Sequence, residues 1–295
     1  MSFPRKLVAI AVPVTGRPNL LPDEEVSFRH LVRHLGGYDR YLIAPKGATV
    51  RLPGCEVKTF GRRYFGSAEA HKKLLLSRHF YRAFEAYEFL LIYHLDALVF
   101  GDDLGEWCER GFDYIAAPWL VDRDDPMKGF SRVGNGGFSL RRVPSFLKVF
   151  DSKRRWSDPR DYWRTRVAQG PWSASLANLP RAMAKHVQVF NGPRWQMRRW
   201  YKNEDFFWAD RAKHYDPEFR VAPVEEGLRF AFECAPRYCY ERNGERLPFG
   251  CHAWPFYDRT FWGPYLLQDD RDVQETSPGG GSEDLERREA VETAG

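Results

Sequence analysis

The chain has 295 residues, 43% of them hydrophobic and 16% aromatic, which is enough to bury a sizeable core and excludes a disordered chain. Its formal net charge of +5 gives a mild bias toward nucleotides, phosphates or membrane headgroups, without the cation density of a dedicated nucleic-acid binder. Five scattered cysteines (Cys55, Cys108, Cys234, Cys239 and Cys251) form no CxxC pair for zinc and suit a reducing cytoplasm.

The opening MSFPRKLVAIAVPV has an apolar run too short to span a membrane and no small-residue cleavage site, so residues 7–14 are expected as a first strand. Asp23, Glu24 and Glu25 open a helix in which Phe28, Leu31, Val32 and Leu35 recur at i, i+3, i+4 and i+7, and Gly36-Gly37 ends it. Residues 41–44 and 55–60 read as a second and a third strand. A helix from about Ser67 would place Leu76, Phe80, Phe84 and Tyr87 on one face. LLIYHLDALVF, residues 90–100, is too continuously apolar for an edge strand and fits the centre of a parallel sheet. Strands alternating with helices predict an α/β fold, a mostly parallel central sheet flanked by helices, with ligands at the carboxyl ends of its strands.

Further on, YIAAPW (114–119) reads as another strand, residues 120–132 as a polar loop, and GNGGFSLR (134–141) as a glycine turn entering a strand. Residues 151–200 form a basic insertion rich in tryptophan. NEDFFWADRAK (203–213) is expected to be helical, and LPFGCHAW (247–254) closes the folded part. One domain is thus expected over residues 1–267, followed by a polar, glycine-rich tail at 268–295 that has almost nothing to bury and is expected to be disordered.

The chemistry begins at His94 and Asp96. A buried carboxylate needs a compensating cation, a hydrogen-bond network or an exit to solvent. Asp96 offers a hard oxygen suited to Mg²⁺ or Mn²⁺, and in an extended chain His94 would point to the same side. The plainer alternative has Asp96 capping a turn and His94 filling a pocket. Asp122-Arg123-Asp124 is a rival metal site in a charged loop of the kind that is usually solvated. Gly134-Asn135-Gly136-Gly137 lacks a third fingerprint glycine and enters a strand, which excludes a dinucleotide or P-loop reading; it lets backbone approach a ligand, or simply turns. Glu204 and Asp205 are either first-turn acids matched to a helix dipole or include a general base. His252, alone among apolar neighbours, is either a satisfied core residue or a ligand.

In chain order HLDALVF, DYIAAPW, GNGGFSLR, NEDFFWA and PFGCHAW resemble the motif series of the GT-A class of glycosyltransferases and, within it, the bacterial and phage family DUF5672. The resemblance covers roughly residues 5–260, outside most of the insertion and the tail. It implies a GT-A-like, Rossmann-like domain in which Asp96 binds Mn²⁺ or Mg²⁺ across the two phosphates of a nucleotide sugar. His94 would stand in the place of the first acid and His252 would be a further metal ligand. Gly136 and Gly137 would line the donor sugar, and Asp205 would be the base, with Glu204 the other candidate. Since His94 replaces an acid, the site loses a negative charge, so that metal binds more weakly or gives way to basic side chains such as Lys72 or Arg17.

The implied reaction moves a sugar from a nucleotide-sugar donor, a UDP-sugar by default, to an acceptor hydroxyl with inversion, retention being the other outcome. The acceptor is open among glycan, lipid carrier, protein and nucleic acid. The insertion's arginines would meet a phosphorylated lipid carrier or an anionic glycan at the inner membrane surface, or form only a solvated helical excursion. Two alternatives stand beside this reading: a nucleotidyltransferase acting on a sugar phosphate, and a non-catalytic carbohydrate or nucleic-acid binder.

Overall fold

The computed structural model describes residues 4–168 and 171–268. β1 (Lys6–Pro13) leads into α1 (Pro22–Leu35), β2 (Asp39–Pro45) and β3 (Cys55–Phe60). α1 starts at Pro22 because proline suits the first helical turn, and the Glu24 carboxylate accepts from the Leu21 amide at 2.8 Å. α2 (Ala68–Leu75) and α3 (Arg78–Arg82) precede β4 (Tyr87–Tyr93) and β5 (Leu98–Val99). After α4 (Leu104–Glu109) come β6 (Tyr114–Ala116), the paired β7 (Pro118–Leu120) and β8 (Phe130–Val133), and then β9 (Phe138–Arg142). α5 (Val143–Asp151) is followed by α6 (Pro159–Arg166), α7 (Trp172–Lys185), α8 (Gln188–Asn191) and α9 (Pro193–Arg198), which fill the basic insertion. α10 (Glu204–Asp210), β10 (Ala231–Phe232) and β11 (Gly250–Cys251) carry the later motifs.

The central sheet runs β3-β2-β1-β4-β9-β6. β3, β2, β1 and β4 are mutually parallel; β9 is antiparallel to both β4 and β6, which returns β6 to the common direction. The expectation of a mostly parallel sheet in an α/β fold therefore holds. Successive side chains of a strand face opposite ways, so Val8, Ile10 and Val12 enter one core layer with Leu42 and Leu91, while Ala9 and Ala11 enter the other with Leu90 and Ile92. Leu90, Leu91 and Ile92 are fully buried and each contributes roughly 1.5–3 kcal/mol. They anchor the strand whose end carries His94.

Four expectations need correction, the first being the loop expected at 120–132, whose two ends pair as β7 and β8, Leu120 opposite Phe130. The helix from Ser67 is two helices: Ser77 interrupts it, its Oγ accepting from the Phe80 amide at 3.3 Å to start α3, and Tyr87 opens β4. YIAAPW also divides, because Pro118 has no amide to extend the ladder and the chain leaves the central sheet to pair with β8. LLIYHLDALVF is not one extended run either. It breaks after Tyr93 into a turn in which the Ala97 amide donates to the His94 carbonyl at 3.0 Å, so His94 and Asp96 meet across a turn instead of along a strand. β5 then joins the small sheet β10-β11-β5, where Cys251 lies opposite Leu98. That register sets His252 beside Asp96. Trp254, fully buried, holds it there: its amide donates to the Asp96 carbonyl at 3.1 Å and its Nε1 to Ser27 Oγ of α1 at 2.9 Å. The tail expected at 268–295 lies, Gln268 apart, outside the described residues.

Candidate active site

A cavity of about 1460 Å³ opens at the carboxyl ends of β1 and β4. Arg17, Lys72, His94, Asp96, Gly136, Gly137, Glu204, Asp205 and His252 all line it, so the residues that the resemblance implies come together in one place. The rival pair does not: Asp122 bonds Lys128 at 2.8 Å and the Asp124 amide at 3.0 Å in the exposed loop.

His94, Asp96 and His252 bring ligand atoms within 4.8 Å of one another, and they are the one such group among the described residues. Asp96 Oδ1 lies 3.3 Å from His252 Nε2 as a buried ion pair, although the alignment is too poor for a hydrogen bond and neither atom has another hydrogen-bond partner. The carboxylate oxygen suits Mg²⁺ or Mn²⁺, whereas two imidazole nitrogens favour a softer first-row cation, so of the two ions expected the set fits Mn²⁺ better than Mg²⁺. On the far side of the His252 ring Nδ1–H donates to Glu233 Oε1 at 3.1 Å, and Asn135 Nδ2, a donor itself, packs equally close without accepting that proton.

Charge follows from these neighbours. Burial opposes charge on His252, but the carboxylates of Asp96 and Glu233 outweigh it and raise the imidazole to about 10. Burial likewise pushes Asp96 upward, and His252 with His94 reverses that, to about 2. His94 is depressed to about 4 and His71 to about 3, each chiefly by burial. They are therefore neutral near pH 7, and their Nε2 atoms meet at 3.1 Å, one donating and the other accepting.

The glycine turn is shaped by Asn135, whose Oδ1 accepts from the Gly137 and Phe138 amides at 2.7 and 2.9 Å. The Gly137 carbonyl in turn accepts from the His94 amide at 2.8 Å. A Cβ on Gly136 would stand 2.4 Å from Glu204 Oε1, and one on Gly137 1.9 Å from His252 Nε2. Glycine is needed at both positions because site side chains press against the backbone.

The two acids of α10 have different surroundings. Glu204 accepts from Nη2 of Arg141 at 3.2 Å, and this wholly buried guanidinium also donates to Tyr81 Oη at 2.8 Å and Ser139 Oγ at 3.0 Å. Asp205 accepts only its neighbour's amide, Phe206 N at 2.8 Å. Burial, then the charge of Glu204, pushes its carboxyl up to about 7. Lys72 and Arg17 face the cavity already paired, Lys72 Nζ with Glu69 at 2.5 Å and Arg17 Nη2 with Glu24 at 2.7 Å.

Four residues of the site escaped the motif reading. Asn135 stands inside the quoted GNGG, and Arg141 is a charge in a strand whose neighbours are buried, the anomaly that drew attention to Asp96. Glu233 is likewise the lone charge in FAFECA (230–235), whereas His71 has no local signal and reaches the cavity only through tertiary packing.

Several solved structures are similar to the chain. The glycosyltransferase GlyE of Streptococcus pneumoniae TIGR4, in its apo form, is 15% identical over 90% of this chain and 61% of its own, with a TM-score of 0.38; the chain thus spans about three fifths of GlyE's length. A glycosyltransferase involved in the glycosylation of the major capsid of PBCV-1 is 11% identical over 88% of this chain and 98% of its own, with a TM-score of 0.43. Mouse xyloside xylosyltransferase 1 is 13% identical over 84% of this chain and 97% of its own, with a TM-score of 0.41. No curated protein matches the sequence. The model of a family described as "Protein of unknown function (DUF5672)" matches residues 54–252. With more than half of its length matched, the chain belongs to the DUF5672 family.

Proposed function

We propose that this protein is a glycosyltransferase that moves a sugar from a nucleotide-sugar donor, a UDP-sugar first, to an acceptor hydroxyl with inversion. The observation that carries the reading is a division of labour in one cavity: the cluster of His94, Asp96 and His252, and a separate buried carboxyl, Asp205, that lines the same cavity. Transfer of a glycosyl group needs both a centre that receives charge from the departing diphosphate and a base for the incoming hydroxyl.

Asp205 is the base. Its carboxylate takes the proton of the acceptor hydroxyl as that oxygen attacks the anomeric carbon, and the electron pair of the breaking C–O bond passes to the diphosphate. A carboxyl titrating near neutrality matches that task, being both available as carboxylate and strong enough as a base. Glu204 is held by Arg141 and acts as a fixed charge that keeps Asp205's affinity for its proton high. Asp96, His94 and His252 would hold Mn²⁺ or Mg²⁺, which when bound supplies positive charge against the diphosphate. Glu233 and Asn135 orient His252 for that purpose. Lys72 and Arg17, on the cavity wall, offer further cations to the phosphates once their carboxylate partners are exchanged for them.

The test is a panel of nucleotide sugars incubated with the protein and Mn²⁺, with products separated by chromatography. A nucleoside diphosphate released by wild type and lost in Asp205→Asn supports the reading. Pyrophosphate release from a nucleoside triphosphate and a sugar phosphate would replace it with nucleotidyl transfer, and no turnover of any donor, with binding of glycans or nucleic acid retained, would make the protein a binder.

A further inference from the structure

α7 reverses the ordinary arrangement of an amphipathic helix. Of its fourteen residues Ala182 alone is buried, whereas Trp172, Leu176 and Met183 are 78%, 58% and 65% exposed. At about 100° per residue these three side chains lie within roughly 40° of one another, along a stripe about 16 Å long. Val187 and Phe190, just beyond the helix, are also exposed. Large apolar side chains gathered outside, with alanine turned in, mark a face meant for contact.

The charge around this face indicates what it meets. Residues 152–200 hold eleven lysines and arginines against two acids, although the whole chain has 45 against 40. The excess positive charge is thus confined to this excursion and the remainder of the chain is net negative. Arg160, Arg164 and Arg166 of α6, which packs on α7, are exposed, as are Arg181, Arg194 and Arg198. A second copy of the chain would set this excess against itself. Nucleic acid would satisfy the cations but has nothing to offer Leu176 and Met183. A bilayer with anionic headgroups satisfies both, burying the stripe at the acyl boundary while cations stay among the headgroups.

We infer that the α6–α7 excursion docks this protein on anionic lipid bilayers, through the stripe of Trp172, Leu176 and Met183 together with the exposed arginines of α6, which packs on α7. This attachment is separate from the chemistry proposed above and does not depend on it.

The experiment is co-sedimentation of the full chain with vesicles of phosphatidylcholine alone or with about a third phosphatidylglycerol, near physiological salt. The wild type should sediment with the anionic vesicles and not with the neutral ones. The double variant W172S/M183S should bind about tenfold or more weakly with an unchanged circular-dichroism melting curve, because both side chains are exposed. Arg160→Glu with Arg164→Glu should weaken binding similarly. Absence of wild-type binding to anionic vesicles, or undiminished binding by W172S/M183S, would overturn the inference. An RNA homopolymer bound equally well by wild type and by W172S/M183S, and displacing the vesicles, would reassign the surface to polyanions.

Discussion

Replacing Asp205 by Asn should make the protein more stable and inactive at once, and the size of the gain should depend on pH in a way that can be worked out. Asp205 is 7% exposed, so little solvent screens it. Its carboxyl, ordinarily near 3.8, keeps its proton to about 7 because of burial and the neighbouring charge of Glu204. Between those values the folded protein holds a proton that the unfolded chain has released, so this group's contribution to stability falls as pH rises from about 4 to 7 and is flat beyond. Each pH step in that window costs about 1.4 kcal/mol. Asparagine carries no charge at any pH and its Oδ1 still accepts the Phe206 amide. From pH 5 to pH 8 the variant should therefore gain on wild type by about 2–3 kcal/mol. The assay is urea unfolding of both proteins at the two pH values, with chelator present throughout to fix the metal state. Other titrating groups are common to both proteins and cancel in the comparison. Turnover of the donor should fall by a factor of about 10² or more. An equal stability difference at pH 5 and pH 8 would refute the claim that Asp205 is strained by its charge, and wild-type turnover in the variant would refute its role as base.

Other substitutions test the remaining parts of the site. Glu204→Gln leaves the wholly buried Arg141 without its carboxylate and should destabilise by about 3 kcal/mol in urea titration; it also removes a charge that raises Asp205, so the acid limb of the pH–rate profile should move to lower pH. Asp96→Asn should abolish turnover and the rise in melting temperature given by Mn²⁺, and should also lower the metal-free melting temperature because it leaves His252 without one of its two carboxylates; a full Mn²⁺ shift in the variant, read by differential scanning fluorimetry, would exclude Asp96 as a ligand. Gly137→Ala puts a methyl group where the His252 ring lies and should cost roughly 1–3 kcal/mol of stability, with the Mn²⁺ shift reduced because the ring has to move.

The sequence made Asp96 visible because a carboxylate inside an apolar run breaks a local pattern, and local patterns are what a single sequence records. The sheet was legible for the same reason: Val8–Val12 and Leu90–Ile92 are apolar without interruption because helices cover both faces. What failed were junctions decided by competition between neighbours of similar strength. Ser77 caps a new helix where apolar periodicity would have continued the old one, and the turn at His94 diverts a run that looks like strand throughout. His71 could not be seen at all, since nothing within several residues distinguishes it from an ordinary surface residue, whereas Glu233 interrupts the apolar run 230–235 (FAFECA) and carried the same kind of signal as Asp96. Their importance arises from who they face: His71 meets His94 Nε2 at 3.1 Å and Glu233 meets His252 Nδ1 at 3.1 Å. Each engages a nitrogen of a candidate ligand, and this fixes which atom remains for a cation. With Nδ1 of His252 turned to Glu233, Nε2 is the atom left facing Asp96, and it has to give up its proton before it can take a cation. The motif residues name the donors of the site. The residues without a motif determine which way those donors point, and a substitution at Glu233 should therefore disturb Mn²⁺ binding although its carboxylate is turned to the ring's other side.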